Sequence, residues 1–214
     1  MASRKALIEA LLKEHGLTFC AELGIPIGRG TPSPLFRWLC ACLLMSARIS
    51  TEIAIAAARA LSDKGWTTPQ KMAAATWGDR VKVLNRAGYA RYDESTSRML
   101  GETCAILIET YGGDLRRLRE AAGRDPEQER KLLKAFKGMG DVGVDIYFRE
   151  VQTAWDEVYP FADKRALQAA GKLGLPEDAK GLARLAPGKE FPRLVAALVR
   201  LKRADDFQRI KQAA

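Results

Sequence analysis

The residues Phe136-Lys137-Gly138-Met139-Gly140-Asp141-Val142-Gly143 carry three glycines at i, i+2 and i+5, with apolar helical patterns on both sides. Glycine accepts positive φ and lets a foreign backbone come close. Backbone N–H groups exposed at the start of a helix form a pocket for a phosphate. The same spacing also fits a tight helix–helix turn that binds nothing. Arg130, Lys134 and Lys137 are spaced at i, i+4 and i+7, on one helical face leading into the glycines. That alignment suits phosphate contacts, and it is equally an ordinary solvated face. Asp141 works the other way, because a carboxylate in the turn opposes an anion. Further on, Asp163 precedes Lys164-Arg165-Ala166-Leu167, where an aspartate reads as a helix N-cap.

At 214 residues the chain has room for one large domain or two small lobes, with a real core in either case. Lys and Arg number 35 against 26 Asp and Glu, a net charge of +9. This balance favours a polyanionic partner, nucleic acid ahead of an acidic membrane. Met1–Gly16 carries Glu9 and Glu14 and so lacks a signal peptide's apolar core. The longest apolar run, Trp38–Met45, falls far short of the ~20 residues that span a bilayer. A cytoplasmic or nucleoid-associated protein without membrane contact is expected. Cys20, Cys40, Cys42 and Cys104 show no metal-ligand spacing, and Cys40 and Cys42 read as core packing. His15 is the only histidine, which argues against a histidine zinc site, a Ser/His/Asp triad or a Cys/His pair. Neither a P-loop nor a dinucleotide fingerprint occurs.

The elements that must hold these groups read almost entirely as helix. Helical spacing is expected over 2–14, 35–47, 51–61, 79–86, 94–111, 114–122 and 127–136. It resumes after the glycines, where Val144, Tyr147, Val151 and Trp155 recur on one face, and then over 163–173, 177–185 and a long 191–207. Leu35–Ala47 is apolar nearly all round and should be a buried central helix. Gly24–Pro34 is the clearest linker. No window alternates as a strand should. The fold class expected is all-α.

The segment from Lys134 through Leu175 resembles the helix-hairpin-helix DNA glycosylase superfamily, whose members carry a glycine hairpin followed by an aspartate that opens a helix. Within it, GMGDVGVDIYFREV followed by YPFADKRAL is most similar to the methyl-CpG-binding mismatch glycosylases, which act on thymine or uracil opposite guanine. Endonuclease III is more distantly similar. Upstream, LLMSARIST resembles the loop that presses a wedge residue into DNA. The likeness spans residues 31–175. It implies two helical lobes with a DNA-binding cleft: residues 31–155 with wedge and hairpin, and 1–30 plus 156–214 as the second lobe. Asp163 would stand at the mouth of the cleft.

The resemblance assigns roles residue by residue. Asp163 falls at the catalytic position, where an ionised carboxylate stabilises positive charge on the sugar and orients or deprotonates a water. Gly138, Met139, Gly140, Val142 and Gly143 form the phosphate-binding hairpin, and Arg48 is the wedge. Asp145 and Tyr147 lie on a helix that walls the base pocket, although core packing ranks ahead of base contact for Tyr147 and a first-turn role suits Asp145. Arg130, Lys134, Lys137 and Lys164 are candidate phosphate contacts. Relatives that also nick the backbone carry a lysine where Val142 stands here, and valine cannot form a Schiff base. No cysteine follows Cys104, so the iron–sulfur cluster of many relatives is not expected, and neither is any other cofactor. The function implied is a monomeric, monofunctional glycosylase acting on double-stranded DNA. Two other readings stand beside it: an inactive helix-hairpin-helix protein that only binds DNA, and a helical protein–protein adaptor.

Overall fold

The computed structural model describes residues 3–213, and among them every regular element is helical. In chain order these are α1 (Arg4–His15), α2 (Phe19–Glu22), α3 (Pro32–Ser46), α4 (Thr51–Asp63) and α5 (Pro69–Ala74). There follow α6 (Trp77–Arg86), α7 (Asp93–Tyr111), α8 (Leu115–Ala121), α9 (Pro126–Leu133) and α10 (Asp141–Val151). The chain ends with α11 (Lys164–Lys172), α12 (Ala179–Leu185), α13 (Glu190–Arg200) and α14 (Ala204–Ala213). None of the described helices is long and apolar enough to cross a membrane.

The chain divides into two compact units, Leu23–Tyr147 and a second made from both termini, up to Glu22 and from Phe148 onward. The boundary falls inside α10. In the first unit α3 is the buried centre: Leu35, Phe36, Trp38, Leu39 and Leu44 are shielded from solvent all round the helix. Several buried polar groups inside this unit find partners. The Trp38 indole donates to the Tyr147 carbonyl at 3.0 Å, and the Tyr89 hydroxyl to the Leu44 carbonyl at 2.8 Å. The buried Arg80 guanidinium donates to the carbonyls of Met72, Ala75 and Ser97, two of which lie at the end of α5. In the terminal unit α13 is apolar on the side that packs on α1 and α11, and Phe191, Leu194, Val195 and Leu198 are fully buried.

Local chemistry moves several boundaries from where periodicity puts them. The long helix expected over 191–207 is broken at Leu201–Arg203, and α14 starts afresh. The cause is Asp206, whose carboxylate accepts the Lys202 and Arg203 N–H groups at 3.0 and 2.9 Å. The helix expected through Phe136 ends at Leu133, and the next residues already turn toward the glycines. The breaker-rich 24–34 segment contains a single 3-10 turn at Ile27–Arg29 and then the first residues of α3.

Candidate functional site

In the unit spanning residues 23–147, the end of α3 and the start of α10 are pressed together. Gly143 makes this possible: a Cβ there would lie 2.7 Å from Ser46 Oγ and 3.0 Å from Met139 Sδ. Gly138 is required on two grounds. Its φ is +90°, and a Cβ would meet Met99 Sδ at 2.7 Å. Gly140 differs from both. Its backbone is unstrained and an added Cβ would have nothing within 4 Å. Neither packing nor conformation inside the chain demands a glycine at the residue that opens α10. The first hydrogen bond of this helix runs from the Val144 N–H to the Gly140 carbonyl at 3.0 Å, so the amides before it lead the helix as orphan donors.

Arg48 stands two residues beyond Ser46, at the apex of a three-residue turn closed by the Ile49 N–H on the Ala47 carbonyl at 2.8 Å. Ser50 then caps α4 by accepting the Ile53 N–H at 3.3 Å. The turn is held from both ends and the Arg48 side chain is exposed. The glycine hairpin and the Arg48 turn therefore lie in one region of this unit. Val142 also lies there, 62% exposed, an unusual setting for a branched apolar side chain.

The cationic face does not stand open. Lys134 Nζ is 2.7 Å from Asp141 Oδ1, and Arg130 Nη2 is 2.7 Å from Asp145 Oδ1. Lys137 is 3.5 Å from Glu102. Cations on and just beyond α9 thus pair with carboxylates on α7 and α10, and the Lys134 ammonium holds the Asp141 carboxyl below its usual range. Arg130, Lys134 and Lys137 are consequently partnered cations. Asp145 is engaged with Arg130, and Tyr147 is wholly buried in the core.

The terminal unit holds Asp163. It is the N-cap of α11, accepting the Ala166 N–H at 3.3 Å, and it is also buried against a cation. Arg149 Nε donates to Oδ1 at 3.2 Å and Arg149 Nη2 to Oδ2 at 2.5 Å, with side-chain exposures of 9% and 6%. Arg165, exposed overall, lies close by; partial desolvation of its head group lowers its pKa, the Arg149 charge adds to this, and Asp163 opposes it. Lys164, at the first position of α11, is exposed. Gln152 completes the arrangement. Its side chain accepts the Phe161 N–H at 2.9 Å and donates to the carbonyls of Phe161 and Arg149 at 3.0 and 2.7 Å.

Sequence reasoning missed Arg149 and Gln152. The available signal was the polar group Arg149, Glu150 and Gln152 at the end of a helix whose other face is apolar, and all three are buried. Glu150 accepts the Phe19 and Cys20 N–H groups at 2.6 and 2.7 Å and so caps α2, with its pKa pushed up by burial.

The four cysteines are buried, and burial raises the pKa of Cys40 and takes that of Cys104 up to about 12. Among the described residues no group of three or more His, Cys, Asp or Glu side chains is placed to hold a metal ion.

No family model matches the sequence, and no curated protein matches it significantly. Among solved structures the chain is similar to a non-covalent complex of endonuclease III with DNA, with TM-score 0.52 and 21% identity over 81% of this chain and 74% of that one. A trapped covalent endonuclease III–DNA intermediate with an estranged adenine gives TM-score 0.49 and 19% identity over 75% and 70%. The first likeness shows that this chain has the all-helical fold of endonuclease III.

Proposed function

We propose that the protein is a DNA glycosylase of the helix-hairpin-helix type, which extrudes a damaged or mismatched base and hydrolyses its N-glycosidic bond. The observation that carries this reading is Gly140. It is a glycine for which the chain itself has no need, just ahead of a helix whose first amides precede its first intrahelical bond, in the same region as the exposed Arg48 turn. Close approach of an outside group explains it, and a phosphate suits orphan amides. Arg48 then fills the gap left by the extruded nucleotide. The net charge of +9 and a fold shared with endonuclease III in its DNA complex agree with this. Asp163 supplies the anion that faces the sugar.

The finer assignments belong to the same reading. Val142 removes the Schiff-base lysine, so excision leaves an abasic site and no nick. Uracil or thymine opposite guanine is the target implied by the GMGDVGVDIYFREV and YPFADKRAL segments. The protein acts as a monomer on double-stranded DNA, without a cofactor. A second reading is favoured by one observation: Asp163 already serves as helix cap and as partner of Arg149. On that reading the protein binds DNA and excises nothing.

One experiment separates them. Duplexes with single lesions or mismatches are incubated with protein and then treated with hot alkali. Cleavage only after alkali marks base removal without lyase activity, and Asp163→Asn should abolish it while leaving duplex affinity intact. Turnover that survives Asp163→Asn would refute the assignment, and binding without excision of any base would leave the second reading.

A further inference from the structure

Arg149 and Gln152 stand three residues apart in the last turn of α10 and just past it, and they act on the segment that carries Asp163. Gln152 fastens both backbone polar groups of Phe161, and Arg149 takes both oxygens of the Asp163 carboxylate. Backbone and side chain of that segment are therefore held from a single helix. The two residues are 8% and 3% exposed, too buried for chance surface contacts.

The carboxylate's acceptor positions can be accounted for. Oδ1 receives Arg149 Nε at 3.2 Å and the Ala166 N–H at 3.3 Å; Oδ2 receives Arg149 Nη2 at 2.5 Å. An ionised carboxylate offers about four such positions. One, on Oδ2, is left. A carboxylate this buried is costly to keep charged without a cation beside it. The planar guanidinium fork supplies that charge and also fixes the rotation of the carboxylate.

We infer that Arg149 and Gln152 are positioning residues that hold Asp163 as a fixed anion, presenting one oxygen position to the sugar. This rests on the glycosylase reading. Asp163 then works by attracting the positive charge that develops on the sugar, and not by accepting a proton. The C1′–N bond breaks with its electron pair leaving on the base. Water oxygen bonds to C1′, and the proton that water sheds passes to the departed base or to solvent. An anion already holding three donors is a well-oriented charge.

The test uses the full chain with excess protein over duplex, so that a single-turnover excision rate and a duplex affinity are read separately. Arg149→Met should lower the excision rate about 100-fold or more, the scale set by misplacing a reacting group by about 1 Å. Affinity should stay within about twofold. Arg149→Lys keeps the charge but loses the fork, and should recover part of that loss, remaining about tenfold below wild type. Gln152→Ala should also fall about tenfold. If Arg149→Met does not fold, Arg149→Lys and Gln152→Ala decide. Rates within about threefold of wild type in these variants, or affinity falling in step with rate, would overturn the inference alone. A wild-type protein that removes no base overturns the glycosylase reading, and this inference with it.

Discussion

The hairpin region and the Asp163 region are both built from paired charges near helix starts, yet burial makes them opposite devices. At the hairpin, Lys134 meets a 69%-exposed Asp141 carboxylate, in water and within reach of salt. Exposed pairs of this kind contribute little to stability and exchange partners readily. At Asp163 the same two charge types are 9% and 6% exposed and joined through two guanidinium nitrogens. Such a pair does not exchange. It adds little net stability over an apolar equivalent, but removing one partner strands a charge. The first arrangement can give way to a phosphate; the second fixes one geometry.

The largest effect should come from breaking the buried pair. Asp163→Ala removes the cap of α11 and leaves the Arg149 guanidinium without its carboxylate. Together these should destabilise the protein by about 3–5 kcal/mol, read as a shift in urea midpoint at unchanged slope. Asp163→Asn keeps an acceptor for the Ala166 N–H and should lose less. Equal losses in the two variants would mean that charge is not what holds this corner.

A smaller effect separates the hairpin glycines. Gly143→Ala forces a Cβ to within 2.7 Å of Ser46 Oγ and 3.0 Å of Met139 Sδ, and should lower stability by about 1–3 kcal/mol. Gly140→Ala enters open space and should alter stability by less than about 0.5 kcal/mol. Duplex affinity should respond in the other sense, because the Gly140 methyl stands where a phosphate would come closest. Thermal melting and a duplex titration on both variants test the contrast. Unchanged affinity in Gly140→Ala would remove the reason offered for that glycine.

These residues also show what could be read from the chain. The hairpin glycines and the arginine turn are local: turn chemistry within a few positions defines them, and they were legible. So was α3, because helical periodicity with no polar face means burial. The Arg149–Asp163 pair depends on a contact across fourteen positions, and Glu150 on one across 131 and 130. Periodicity assigns a helix's polar face to solvent, and α10 breaks that rule by burying polar groups against distant backbone. The spacing puts the three cations leading to the hairpin on one helical face, but α9 ends at Leu133 before Lys134 and Lys137, and their carboxylate partners lie on α7 and α10. Asp206 failed in the opposite direction. Its cap is wholly local, yet the apolar pattern of 191–207 runs straight through it.

The smallest effect probes the exposed pair. Asp141→Asn deletes the carboxylate that Lys134 meets at 2.7 Å and that Arg130 approaches at 3.9 Å. Stability should hardly change, since the group is solvated and screened. What should change is the count of cations ready to meet DNA. If Lys134 turns to a phosphate once Asp141 is gone, duplex affinity rises several-fold at low salt. The log–log salt dependence should then steepen by about 0.9, the increment for one further phosphate neutralised. Lys134→Met in the same background should return the slope to its original value. A slope that Asp141→Asn leaves unmoved would show that Lys134 faces away from the DNA, and that the hairpin grips through its amides alone.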